Sequence, residues 1–287
     1  MPDLPLPPWF ARFCDPAADR LSVLVQTLHD ASIPFEVVRT GRFRHVQVRS
    51  QRSAAPSPGE KVLVAHYDRV SGTPGANDNG ASVLALVDYL ARTRNGAALR
   101  VVFTDGEELP PGTPSADQGS YALGCHWVGA PWVPIVLDMT GIGDTVVLGH
   151  LGEHLRQQGR ELRGSVPSHL HPSGHLRVWA KRFLATCGAG DTLEVNAPFS
   201  DDLGFFLAGI PAVQISLLPR KEALAYRGVR ASPGELSGHD PGALPPSWRA
   251  IHGPDDSPDT LWPGSRILMA QILDRLEMYP LAVGEGV

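Results

Sequence analysis

The feature that most constrains this chain is a set of short apolar runs, each of which stops on a polar side chain. KVLVAHYD (61–68), ALRVVFTD (98–105) and VPIVLDM (133–139) show no alternation of apolar and polar residues. A strand is apolar at consecutive positions when both of its faces are covered, as inside a parallel sheet. Between the first two runs lies GASVLALVDYLARTR (80–94), whose apolar residues recur at helical spacing. DLGFFLAG followed by IPAVQISLL (202–218) repeats the helix-then-strand order. DPAADRLSVLVQTLHDAS (15–32) predicts a helix capped by Asp15 with Pro16 in its first turn, and PGSRILMAQILDRLEMY (263–279) predicts a final helix. FEVVRT and HVQVRS alternate on either side of Gly41 and predict a hairpin. Together these predict a single α/β domain over residues 1–287, with a mostly parallel or mixed central sheet and helices on both faces. The stretch 218–248 is rich in Pro, Gly and Ser and reads as an irregular insertion.

Composition narrows the function classes. The formal net charge is −5 and no basic stripe is present, so a nucleic-acid partner is not expected. No run of about 18 apolar residues predicts a membrane span. MPDLPLPPWFARF lacks the basic start and apolar run of a signal peptide, which gives the expectation of a cytoplasmic protein. Cys14, Cys125 and Cys187 are unclustered and predict neither a disulfide framework nor a thiolate zinc site.

The polar ends of the strands carry the chemistry. His66 and Asp68 end the first run, Glu107 and Glu108 follow the second, and Asp138 closes the third. Asp78 sits in GANDNG (75–80), between a strand and a helix, where Gly and Asn tolerate unusual backbone angles. Open α/β sheets bind ligands at the carboxyl ends of their strands. Acids gathered at one such edge repel each other, and a bound cation relieves that cost. Carboxylates with imidazole and no thiolate suit zinc, manganese or cobalt. Singly, each residue has an ordinary alternative: a hydrogen-bonded strand-end His, a helix-capping Asp, a solvated Glu pair. Their recurrence at successive strand ends favours a metal site.

Other motifs fit poorly. HLGEH (150–154) matches an inverted zinc motif, but that motif needs a helix, and Gly149 and Gly152 make a poor one. His169, His171 and His175 in PSHLHPSGH read as loop residues, and GIGDTV (141–146) lacks the third glycine of a nucleotide loop.

HYD, GANDNGAS, FTDGEE, LDM, FSDDLGFFLAGIPA and IHGPDDSPDTL follow one another in an order and spacing that resembles metallopeptidase family twenty-eight, over roughly residues 60 to 275. That family comprises co-catalytic zinc exopeptidases, chiefly aminopeptidases, and the glutaminyl-peptide cyclotransferases share its fold. The resemblance implies a zinc-exopeptidase fold and two zinc ions bridged by Asp78. His66 and Asp138 would complete one site, and Glu108 and His252 the other. Asp68 is similar to the acid that orients the metal-bound His, and Glu107 to the general base. A cis peptide bond between Asp78 and Asn79 is implied as well. The substrate would be a peptide or aminoacyl compound, with the side-chain pocket expected from 198–220 and 225–248.

The chain departs from both branches of the resemblance. LPPGTPSAD (109–117) is longer than the usual aminopeptidase spacer, and the cyclases also carry an insertion here. Ile251 stands where aminopeptidases often have Tyr and cyclases usually Trp; Trp248 is close by in sequence. Asp202 and Gln214 stand where cyclases usually have His. These substitutions favour a peptidase. The alternatives are a cyclase using one zinc ion to form N-terminal pyroglutamate, and a non-catalytic interaction module on the same fold.

Overall fold

A computed structural model of the chain describes residues 5–49, 59–93, 98–149, 170–188, 190–228 and 244–281. Its eight-stranded mixed sheet has the order β1-β2-β4-β3-β5-β8-β6-β7. The strands are β1 Glu36–Thr40, β2 Phe43–Val48, β3 Glu60–His66, β4 Arg100–Thr104, β5 Trp132–Leu137, β6 Thr145–Gly149, β7 Leu193–Val195 and β8 Val213–Leu218. β4, β3, β5 and β8 run parallel at the centre, while β1, β2 and β6 pair antiparallel. The helices are α1 Pro8–Phe13, α2 Arg20–Asp30, α3 Ala81–Arg92, α4 Gly119–His126, α5 Leu170–Ala185, α6 Asp201–Leu207, α7 Arg220–Tyr226 and α8 Pro263–Met278.

The continuous apolar runs are the buried parallel strands. Successive β3 side chains point to opposite faces. Leu63 and Ala65 join Phe10, Leu24, Val83 and Ile272 in the core on one side. Val62 and Val64 join Leu123, Trp127 and Phe205 on the other. Both faces are thus sealed by helices, as the sequence predicts. The hairpin forms as expected, with Gly41 at φ 59° in its turn.

Some local expectations are revised. The first long helix starts at Arg20, and its cap is Asp19, whose carboxylate accepts the Leu21 N–H at 3.2 Å. Asp15 accepts the Ala17 N–H at 2.9 Å, in a turn that keeps Pro16 out of the helix. His171 and His175 lie on α5 rather than in a loop. The stretch read as irregular opens with α7, and 229–243 lies outside the described residues. So do HLGEH and His169.

The register sets the site. His66 pairs with Thr104, so β3, β4 and β5 end at one sheet edge, and the segments after them gather there. On β2, the fully buried His45 steadies one of these segments. Its Nδ1 accepts the Asp105 N–H at 3.2 Å, and its Nε2 lies 2.7 Å from the Thr40 hydroxyl. Those roles need a neutral ring, and burial lowers the His45 pKa to about 4.

The unfolded chain therefore takes up a proton first on acidification. Stability from neutral His45 is present above about pH 6.5 and is lost as pH falls toward 4, by on the order of 3 kcal/mol. Urea unfolding measured from pH 7 to pH 4 is expected to show a steeper loss for the wild type than for His45→Gln. Parallel pH profiles would contradict this role.

Candidate metal centre

Six residues singled out in the sequence come together at the carboxyl edge of β3, β4 and β5, and His252 approaches from the segment before α8. His66 is the last residue of β3, and Asp138 directly follows β5. Glu107 and Glu108 follow a turn at Gly106, whose φ is 79° and where a Cβ would overlap the Phe43 ring. Asp78 sits in a turn of π-helical hydrogen bonding, Ala76–Gly80, and its bond to Asn79 is cis. Gly75 enters that turn at φ 55°, and a Cβ there would lie 2.6 Å from the Asp78 carbonyl oxygen. His252 is itself held at φ 62°, a left-handed conformation that costs a non-glycine residue about 1–2 kcal/mol.

The donor atoms divide into two groups that share Asp78. His66 Nε2 lies 3.2 Å from Asp78 Oδ1 and 3.7 Å from Asp138 Oδ1. His252 Nε2 lies 3.2 Å from Asp78 Oδ2 and 3.2 Å from Glu108 Oε2. Each group offers one imidazole nitrogen and two carboxylate oxygens. The buried His66 Nε2 and Asp138 Oδ1 have no hydrogen-bond partner. His66, Asp78 and Glu108 can each place a donor atom within 4.8 Å of the others. A nitrogen-and-oxygen donor set with orphaned buried atoms fits a divalent cation such as zinc.

Charge balance supports the same conclusion. Burial alone would lower the pKa of both imidazoles, but Asp138, Asp68 and Asp78 hold His66 well above its ordinary value. Asp78 and Glu108 likewise raise His252 to about 11. Burial raises Glu108 to about 7, with Asp78 adding repulsion. Asp78 is lowered despite its burial, by His252 and His66. Protons on the imidazoles thus offset the clustered acids, and a metal ion would take their place.

A surrounding set of contacts holds the donors. The Asp68 carboxylate accepts the Glu107 and Glu108 N–H groups at 3.3 and 3.0 Å, and it lies 3.5 Å from His66 Nδ1. Sequence reasoning missed several other contributors. Asp256, four residues after His252, accepts the N–H groups of Asn77 and Asp78 at 2.7 and 3.0 Å. Buried Arg20 donates to the carbonyls of Phe13, Tyr67, Asp68, Pro74 and Gly75 and so ties α1 to both acid-bearing loops. Asn79 donates to the Leu137 carbonyl at 2.8 Å, which locks the turn to β5. Gln118 Nε2 lies 3.2 Å from Glu107 Oε1, and Gln214 Nε2 lies 3.5 Å from Asp138 Oδ2. Proximity of Asp256 to His252 in IHGPDDSPDTL was the one available signal, and it does not reveal a partner 178 residues away.

The site opens into a cavity of about 880 Å³ with Asp78, Glu107, Glu108, Asp138 and His252 in its lining. Its walls include Met139, Phe199, Leu203 and Ile251, and also Leu109, Pro110 and Pro111 of the long spacer. From 198–220 only Pro198, Phe199 and Leu203 line it, so the spacer supplies wall that the sequence reading assigned elsewhere.

Residues 48–274 match the profile of Peptidase family M28. No curated protein matches the chain. Among solved structures, the LapA aminopeptidase of Legionella pneumophila aligns at 14% identity and TM-score 0.58, covering 94% of this chain and 70% of that one. BSAP, a zinc aminopeptidase from Bacillus subtilis, aligns at 18% identity and TM-score 0.51, covering 82% and 49%. The Fimbriiglobus ruber glutaminyl cyclase aligns at 16% identity and TM-score 0.59, covering 97% of each chain. At these identities the structures speak to the shared fold.

The Asp256 clamp generates a test of the centre. Asp256→Asn places an NH₂ group against N–H groups that need an acceptor. Zinc affinity, measured by competition with a chromogenic chelator, is expected to fall by about 10–100-fold, since partners of metal ligands matter on that scale. Wild-type affinity in this variant would show that the clamp is dispensable.

Proposed function

The chain belongs to Peptidase family M28, and on that premise we propose that it is a two-zinc aminopeptidase that releases N-terminal residues from peptides. The observation that carries this reading is the division of Asp78, with Oδ1 toward His66 and Oδ2 toward His252. A carboxylate presented in this way suits a bridge between two cations. His66 and Asp138 would complete one site, and His252 and Glu108 the other. Bound zinc would supply Lewis-acid polarisation of the scissile carbonyl and acidification of the attacking water.

The chain's own residues do the rest. Glu107 would accept the proton of the attacking water on its carboxylate and return it to the leaving amine. Burial raises the Glu107 pKa well above its ordinary value, with His66 opposing and Glu108, Asp138 and Asp201 adding to it, so a proton is held on it more firmly than on a free carboxyl. Gln118 holds one of its oxygens, and Asp68 fixes the backbone of both glutamates. Asp68 also faces His66 Nδ1, so that Nε2 is turned toward the metal position. The apolar wall would receive the substrate side chain and exclude bulk water.

A cyclase is the second reading, favoured by the reciprocal 97% coverage of the Fimbriiglobus ruber structure. Cyclisation must keep water from the carbonyl, and the tryptophan nearest His252 in sequence is directed elsewhere. Trp248 is fully buried, and its indole N–H donates to the Leu217 carbonyl at 3.2 Å. Ile251 lines the cavity in its stead. A non-catalytic module would have no need of stoichiometric zinc.

Aminoacyl p-nitroanilides and N-terminal glutaminyl peptides, assayed after chelation and again after zinc is restored, separate these readings. Zinc-dependent release of N-terminal residues is expected. Pyroglutamate formation without aminoacyl hydrolysis would install the cyclase instead. Glu107→Gln is expected to lose about 10²–10⁴-fold in kcat while keeping its zinc. Glu108→Gln is expected to weaken zinc binding itself, and the opposite pattern would exchange the two roles.

A further inference from the structure

Among the described residues two arginines line the cavity, and they are used differently. Arg69 turns its guanidinium away, donating to the carbonyls of Phe13, Asp15 and Ala18 at 3.3, 2.7 and 3.0 Å. Its side chain contributes wall, and its charge serves the N-terminal segment. Arg249 is exposed and lies three residues before His252. Its Nε donates to the Leu244 carbonyl at 3.0 Å, which fixes the plane of the group. Arg249 is part of the cavity lining, and among the described residues no hydrogen bond engages its Nη groups. A guanidinium presents them as a fork that matches a carboxylate.

The cavity is also polar along one direction. Asp78 and Asp138 are buried at its floor, whereas Arg249 is exposed at its rim. A substrate carboxylate at the rim is attracted by the arginine, whose charge no acid of the cavity floor contacts. A volume of 880 Å³ is on the order of 10 Å across, and an extended peptide advances about 3.3–3.6 Å per residue. Roughly two or three residues therefore reach from floor to rim.

We propose that Arg249 is a specificity-determining residue that binds a carboxylate of the peptide substrate at the cavity rim. The carboxylate is the C-terminus of a short peptide or an acidic side chain near the scissile bond. This rests on the peptide-hydrolysis reading, so binding is measured apart from turnover. Leu-Gly, its amide Leu-Gly-NH₂, and Leu-Glu-NH₂ are titrated calorimetrically into the zinc-loaded full chain carrying Glu107→Gln, alone or combined with Arg249→Gln or Arg249→Lys.

With Arg249 present, Leu-Gly is expected to bind about 10-fold more tightly than Leu-Gly-NH₂, the scale of a charge-assisted pair. Arg249→Gln is expected to erase that difference by weakening the acid alone, and Arg249→Lys to retain part of it. Tight binding of Leu-Glu-NH₂ in place of Leu-Gly would assign the same arginine to an acidic side chain. The proposal is overturned if both amides bind as well as the free acid, if Arg249→Gln weakens all three peptides equally, or if none of them binds. Hydrolysis of leucine p-nitroanilide by the unaltered chain is scored separately. Acid-over-amide discrimination without any hydrolysis would leave the arginine site standing and remove the hydrolytic reading.

Discussion

Carboxylates crowded at the end of a buried sheet impose the constraint on which the rest of this structure depends. Asp68, Asp78, Glu107, Glu108 and Asp138 lie within one neighbourhood, with Asp201 and Asp256 behind them. Anions in such a place cost several kcal/mol each unless they are compensated. Three carboxylates of the inner group are faced by specific polar groups. Asp68 has two backbone N–H groups, Asp78 has two imidazoles, and Glu108 has His252. Arg20 brings a buried cation to the backs of both loops without contacting any carboxylate directly. Compensation remains incomplete, because His66 Nε2 and Asp138 Oδ1 lack hydrogen-bond partners. A buried site whose acids outnumber its fixed cations suits a bound cation.

The sheet and most of the donors were legible in the sequence because their signals are local. An unbroken apolar run is a statement about both faces of a strand, so KVLVAH announces a central position before any partner is known. The polar residue that ends the run then falls at the sheet edge, where parallel strands collect their loops. Asp256 and Arg20 carry no comparable signal. Asp256 acts on Asn77 across 179 positions, and Arg20 reaches Gly75 from a helix that sits 55 positions earlier. Neither periodicity nor spacing encodes such a contact. The Arg20 helix even reads as amphipathic with its arginine on an ordinary polar position, whereas the side chain is 4% exposed. The start of that helix was misjudged for a related reason. Two aspartates, Asp15 and Asp19, can each cap a helix, and the Leu21 N–H is satisfied by the second.

The long spacer after Glu108 serves both the cavity and the residue beside it. Leu109, Pro110 and Pro111 add apolar wall, and the spacer ends at Gln118, which returns to hold Glu107. The same insertion therefore shapes the space for a substrate side chain and positions the proposed base. The spacer shapes the cavity wall without carrying any of the donors, which are fixed from the sheet and from the 252–256 segment.

That last segment links folding to the metal. His252 would contribute a ligand on the proposed reading, and Asp256 holds the turn that carries Asp78 through two N–H groups and, by its own carbonyl, the Ala76 N–H. His252 sits at positive φ, so its placement costs energy that its contacts must repay. A cation between His252 and Asp78 would join the two ends of this closed loop of interactions. Metal binding and the docking of residues 252–256 would then stabilise each other, since each orders groups that the other requires. On the proposed ligand set the 252–256 segment would be part of the metal centre, and its attachment to the sheet edge and the occupancy of the site would be two expressions of one equilibrium.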